Sequence, residues 1–278
     1  MFEAFRLRRV RVLAVVCFAA GVAGSVAAQA PATSGGLTAD EITRFLLTAR
    51  IVRSAPVGKG VTGITRLTLT DGVTTRDAAF QSVDERKLQQ EFARGKAEIG
   101  FVDSYHYNIA GYQLAVMLGL GHMVPVTVER KWRGKTGSLS WWVDFVFDEG
   151  ERLKKKLAAP DPARWNQQMY RVRVFSALIH DTDRNLGNML ITDDWTIWMI
   201  DFTRAFRRWK AIQHPADLVR CDRRLLEQME GLTEERVRAA TGRHLGPAEI
   251  DALMARRDLI VAHFRKLIGE RGEAQVLY

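Results

Sequence analysis

Asp183, Asn188 and Asp201 are the residues of this chain whose types and spacing best suit chemistry. The first two lie in His180-Asp-Thr-Asp-Arg-Asn-Leu-Gly-Asn188. The third lies in Trp198-Met-Ile-Asp-Phe-Thr203, past a polar turn at Asp193-Asp194. Short strands at 188–192 and 196–200 form a hairpin that brings the loop and Asp201 to one edge. Phosphoryl transfer needs a carboxylate to orient the attacking hydroxyl, and oxygen ligands for a cation that neutralises the phosphates. An Asp-x-Asp-Arg loop alone is an ordinary solvated turn; its neighbours give it weight. Asp183 and Asp201 also suit a paired-carboxylate glycosidase, but Asn188 and the glycine-rich segment upstream would then have no role. No Gly-x-Ser-x-Gly elbow occurs, and Ser138 and Ser140 fall in a strand pattern, so a serine triad has no support.

Two further groups of elements must hold these residues. Residues 50–57 and 64–70 read as strands around Gly58-Lys-Gly-Val-Thr-Gly63. Asp71-Gly72 is a hairpin signal, and 73–83 returns as a third antiparallel strand. Residues 105–120 carry Ile109, Leu114, Met117 and Leu120 at helical spacing, ended by Gly119 and Gly121. A second hairpin spans 124–129 and 138–144 around Arg133–Gly137. Thr38, with Glu41 three positions on, opens a short helix near the N-terminus. Beyond Glu151 the pattern is mostly helical, at 164–180, 215–230, 233–242, 247–256 and 257–270. This order predicts an α+β chain: a small antiparallel sheet lobe (50–146, with one helix), a larger helical lobe (147–278), and a cleft between.

At this point the chain resembles a family. Asp183-Arg-Asn-x-x-Asn188 and Asp201-Phe-Thr203 are similar to the D-R-H-x-x-N and D-F-G segments of atypical kinases. These are the phosphoinositide 3/4-kinases, HipA-type kinases and secretory-pathway kinases. Ala79-Phe-Gln-Ser-Val-Asp-Glu85 resembles the type II phosphoinositide 4-kinase strand A-x-F-K-P-K-x-E. The run from Asn108 to Val128 resembles its E-V-A-A-Y-x-L-x-x-x-L-G-L-x-x-V-P-P-T. The likeness covers about 50–205, four segments in the same order.

The resemblance implies a two-lobed protein-kinase-like fold using ATP, or another nucleoside triphosphate, with Mg2+. It casts Asp183 as the hydroxyl-orienting base, and Asn188 and Asp201 as the metal ligands. Gly58, Gly60 and Gly63 would let the loop backbone approach phosphate. Arg184 would brace the loop or meet phosphate, and 141–147 would be the adenine-contacting hinge. Two positions depart together: the strand lysine is Gln81 and its helix glutamate partner is Asn108. Lys59 is the candidate replacement for the missing charge, ahead of Lys87 and Lys96. Asn185 replaces the loop histidine, and Thr203 the glycine, where it would cap a following helix. The expected function is a kinase-like phosphotransferase acting on a protein, lipid or small-molecule acceptor. The alternative is a catalytically inactive pseudokinase that binds a nucleotide or partner.

Other residues read blandly. Asp181, Asp193 and Asp194 read as turn formers. His106, His122 and His180 read as packed or capping histidines, since no His-x-x-x-His pair occurs. Trp141, Trp142, Trp195 and Trp198 read as core beneath the cleft. Cys221 reads as a buried, inert thiol.

Composition bounds the rest. The 278 residues are 47% hydrophobic and 26% charged, which excludes whole-chain disorder. Two cysteines exclude a disulfide scaffold. Arg6, Arg8, Arg9 and Arg11 precede an uncharged run ending at Val26-Ala-Ala28, a signal-peptide pattern (1–28) followed by a small, polar leader. Export to the periplasm or beyond is expected, with a retained N-terminal anchor as the alternative and the sole route to membrane contact. Cleavage would leave 37 basic against 31 acidic side chains, with no basic stripe interleaved with aromatics, so nucleic acid is not an expected partner.

Overall fold

Thr38 starts the first helix as its sequence implies. Its hydroxyl accepts from the Glu41 amide at 3.3 Å, and the Glu41 carboxylate accepts from the Thr38 amide at 2.8 Å. The helix, α1 (Ala39–Thr48), buries Ile42, Phe45 and Leu46. This computed structural model describes residues 36–57, 63–92 and 96–278. The expected signal peptide, almost all of the leader, and Gly58, Lys59 and Gly60 lie outside the described residues.

The strands β1 (Arg50–Pro56), β2 (Thr65–Thr70) and β3 (Thr75–Gln81) pair antiparallel. Alternation puts Leu67 and Leu69 of β2, and Ala78 and Phe80 of β3, into the core under α1. Asp71 Oδ1 accepts from the Val73 and Thr74 amides, which closes the β2–β3 turn.

Next come β4 (Asp84–Phe92) and β5 (Lys96–Ser104), a separate two-stranded sheet that sequence reading did not anticipate. Leu88 and Ile99 are exposed on it, and among the side chains described along β4 none is a buried apolar one, so the period that reveals a strand is missing. Helix α2 (His106–Met117) follows. Then β6 (Thr127–Trp132) and β7 (Lys135–Trp141) complete a five-stranded sheet in the order β1-β2-β3-β7-β6. Their turn is shorter than expected: Arg133 and Gly134, with φ of 47° and 80°, make a two-residue connection. Gly137 allows β7 to lie against β3, because a Cβ there would strike the Gln81 carbonyl and the Phe80 ring.

The helical lobe begins with β8 (Phe147–Asp148), α3 (Glu149–Lys154) and α4 (Pro162–Ile179). Asp161 caps α4, and His180 ends it in the left-handed conformation. β9 (Met189–Ile191) and β10 (Ile197–Met199) form the expected hairpin, with β8 added at its edge. Helices α5 (Arg223–Glu230) and α6 (Glu234–Thr241) follow.

Residues expected as two helices are one, α7 (Pro247–Arg271). The expected break fell at Arg256-Arg257, but Arg256 is fully buried inside the helix lattice. Its guanidinium donates to the Leu178 carbonyl at 2.7 Å and to the Arg207 carbonyl at 2.9 Å. The main core joins α2, α4, α5 and α7, with Tyr107, Leu114, Phe175, Phe206 and Phe264 at its centre. Among the described residues, no helix is long and apolar enough to cross a membrane.

Candidate functional site

A cavity of about 330 Å3 lies between the sheet and the β9–β10 hairpin. Ala79, Gln81, Ser138 and Ser140 line it from β3 and β7. Trp141, at the end of β7, and Trp142, Val143 and Phe145, from the segment after it, also line it. Leu190, Ile200, Asp201 and Phe202 line it from the hairpin and the turn beyond. The Val57 amide donates to the Ile64 carbonyl at 3.0 Å, and both residues line the cavity. The stems of the glycine-rich loop therefore border this space. Gly63, with φ of 59°, adopts a left-handed conformation there that glycine tolerates without strain.

Gln81 and Asn108 meet across the cavity wall. Asn108 Nδ2 donates to Gln81 Oε1 at 2.8 Å and to Ser138 Oγ at 3.1 Å, and Asn108 Oδ1 accepts from the Phe202 amide at 2.7 Å. One helix side chain thus ties β3, β7 and the Asp201-Phe202 segment together. Gln81 is 95% buried by its 5% exposure, and its Nε2 has no hydrogen-bond partner. A buried amide donor with no partner at a cavity wall is suited to an anionic ligand.

Arg184 braces the loop. It donates to Asp181 Oδ2 through Nε at 2.9 Å, to the Asn188 carbonyl at 2.9 Å and to the Ile200 carbonyl at 2.6 Å. Asp181 is correspondingly more than a turn former: its side chain is fully buried as the counter-ion of Arg184. Its Oδ1 also accepts from the Asp183 amide at 3.0 Å. Asn185 Nδ2 lies 3.3 Å from Asp183 Oδ1, and Asn188 Nδ2 donates to the Asp183 carbonyl at 3.0 Å. That bond leaves Asn188 Oδ1 as an acceptor. Asp183 is half-buried beside the cavity, whose lining takes Gly187 rather than Asp183 or Asn188.

Asp201 takes the left-handed conformation, φ 55°. Thr203 Oγ1 donates to its Oδ1 at 2.9 Å, so Thr203 is a partner of the carboxylate and not the cap of a following helix. Burial pushes the Asp201 carboxyl above its usual value, against the hydrogen bonds from Thr203 and the charge of Arg184. Asp103 on β5 was not anticipated. Burial likewise raises its carboxyl, Asp201 adds to the rise, and its Oδ1 has no hydrogen-bond partner. No sequence signal marked it, because its strand was invisible.

Other expectations resolve around the site. Trp141 packs edge-on against Phe45 as well as lining the cavity, and Trp198 is core. Trp195 instead packs edge-on against Phe147 and Trp165, away from the cavity lining. Cys221 is buried, which raises its thiol well beyond the ordinary range. His180 is packed, but His106 contacts His244 and has Glu129 within 4.8 Å, partners too distant in sequence for local spacing to reveal. Lys87 pairs with Glu85 at 2.9 Å on the exposed hairpin, which removes it as a substitute for the missing lysine.

Searches with the sequence found no matching family model and no matching curated protein. Comparison of structures did find similar folds. Hydra Fam20, solved with sugar, matches with a TM-score of 0.62 at 12% identity, covering 86% of this chain and 91% of that one. The Golgi casein kinase with Mn/ADP bound matches at 0.58 and 13% identity, covering 86% and 78%. The Helicobacter pylori proinflammatory kinase CtkA matches at 0.54 and 11% identity, covering 81% and 98%.

The chain has an atypical kinase-like fold. Identity this low establishes the fold alone, so a role for the kinase-like cleft rests on this chain's own side chains.

Proposed function

We propose that the chain is a kinase-like phosphotransferase that binds a nucleoside triphosphate and a divalent cation in the cleft. The observation that carries this reading is the shared placement of Gln81, Asn108 and Asp201 on one cavity wall, with Asn108 joining all three segments. The donor set fits a hard cation. Asp201 and the neighbouring Asp103 are buried carboxylates whose ionisation burial opposes, and Asn188 Oδ1 is a free acceptor, an all-oxygen set of the kind Mg2+ or Mn2+ prefers. Asn188 and Asp201 would hold the cation, which supplies neutralisation of phosphate charge when bound.

The chain's own residues do the rest. Asp183, its carboxylate steadied by Asn185, accepts the proton of an acceptor hydroxyl as that oxygen bonds to the terminal phosphorus and the bond to the diphosphate oxygen breaks. Arg184 holds the loop, its guanidinium taken up by Asp181 and by the Asn188 and Ile200 carbonyls. The Gln81 amide offers a neutral donor where a lysine would offer charge. The segment from Trp141 to Phe145 supplies an apolar wall for a base.

The Gln81–Asn108 amide pair favours the second reading, a nucleotide-binding pseudokinase, because no cation in it meets phosphate. Turnover decides. Purified protein given nucleoside triphosphate and Mn2+ or Mg2+ should release nucleoside diphosphate, with the terminal phosphoryl group passed to water or to the protein itself, and Asp183→Ala should slow this by about 100-fold or more. Nucleotide binding without turnover, unaltered by Asp183→Ala, would establish the pseudokinase. Export after signal cleavage belongs to this reading too, and the mature N-terminus of secreted protein would test it.

A further inference from the structure

His106, Glu129 and His244 come from three separate elements: the first turn of α2, strand β6, and the turn between α6 and α7. Their ligand atoms all lie within 4.8 Å of one another. His106 Nδ1 and His244 Nδ1 are 3.0 Å apart. Four ligands placed tetrahedrally about 2.0–2.1 Å from a zinc ion stand about 3.3 Å from each other. The two imidazoles are therefore already close to the edge of such a tetrahedron, and Glu129 needs a small side-chain movement to complete a third vertex. All three residues are partly buried, so an ion there would be shielded but not sealed from solvent.

We propose that His106, Glu129 and His244 form a zinc-type divalent transition-metal site that clasps α2 to β6 and to the α6–α7 turn. Two imidazole nitrogens and one carboxylate are the ligand types that select zinc and its neighbours over Mg2+ or Ca2+. This sets the site apart from the all-oxygen cleft. The surroundings are built to hold the ligands. The Tyr105 ring stacks on His106 with centroids 4.1 Å apart, and the Tyr105 hydroxyl lies 3.5 Å from Glu129 Oε2. The His244 amide donates to the Thr241 carbonyl at 2.8 Å, which fixes the turn. One group opposes the cation: Arg243 lies 3.6 Å from Glu129 Oε1, but its side chain is 85% exposed and free to swing into solvent. The clasp would act at the end of α2 that carries Asn108, two positions beyond His106.

The test is metal uptake by the tag-free full chain, with Zn2+ or Co2+ alone as probe. Asp201→Asn is the background, so that the cleft does not contribute. One equivalent of Zn2+ should bind, and Co2+ should give the intense blue absorption of a four-coordinate ion in place of the pale pink of six-coordinate cobalt. His106→Ala and His244→Ala should each weaken Zn2+ binding at least tenfold, and Glu129→Gln less. If His106→Ala does not fold, His244→Ala, in a turn outside the helices, carries the same comparison. No uptake, only six-coordinate cobalt, or unchanged Zn2+ affinity in the histidine variants would overturn the proposal. Loss of nucleotide turnover would not bear on it.

Discussion

Asn108 Oδ1 receives the Phe202 amide at 2.7 Å, so the helix α2 holds the cleft's acidic turn by a single side chain. Asn108 Nδ2 also donates to Gln81 Oε1 and Ser138 Oγ. Removing the Asn108 amide leaves the Phe202 N–H and Gln81 Oε1 buried and without these partners. Asn108→Ala should cost about 1–3 kcal/mol for each group stranded, read as a lowered denaturation midpoint, and should weaken nucleotide binding.

Gly111 sits one helical turn further along α2, where an added Cβ would come within 2.9 Å of the Phe202 ring. Gly111→Ala should push Phe202 away from α2 at a cost of about 1–3 kcal/mol, the usual range for overpacking. The same displacement should stretch the Asn108–Phe202 bond, seen as faster amide exchange at Phe202.

The buried ion pair of Arg184 and Asp181 makes a different prediction. Arg184→Met leaves the Asp181 carboxylate without its counter-charge at a fully buried position. A loss of about 3–5 kcal/mol is expected. The double variant Arg184→Met/Asp181→Leu should recover much of that stability but not catalysis, since the Asn188 and Ile200 carbonyls lose their common anchor.

His180 should shape stability in mild acid. Burial, reinforced by the charge of Arg256, lowers its imidazole to about 4. The unfolded chain takes up that proton near pH 6.5, while the folded chain resists until about 4. Folding therefore has the full benefit of neutral His180 above pH 6.5 and loses it progressively down to pH 4, by about 3 kcal/mol. His180→Asn, which tolerates the left-handed conformation, should flatten that part of the profile in pH-dependent denaturation.

The residues with strong local signals were legible in the sequence. The Thr38–Glu41 capping box, the β2–β3 turn at Asp71-Gly72 and the β9–β10 hairpin each announce themselves within a few positions. Asp201 was reached from its place after the hairpin, but Gln81 and Asn108 were singled out only through the resemblance to atypical-kinase segments. What stayed hidden depends on distant partners or missing periodicity. Residues 84–91 of β4 show no buried apolar side chain, so the strand pair, and Asp103 with it, went unseen. Arg256 reads as a surface charge until the Leu178 and Arg207 carbonyls are brought to it. His106 and His244 are 138 positions apart, and no spacing rule links them.

The central claim is that Gln81, Asn108 and Asp201 face one nucleotide–cation pair. Calorimetric titration of the chain with nucleoside triphosphate, with and without Mn2+, tests it most directly. The account predicts saturable one-to-one binding that strengthens with Mn2+, loses that Mn2+ dependence in Asp201→Asn, and weakens in Gln81→Ala. Absence of nucleotide binding, or binding that neither substitution changes, would contradict it.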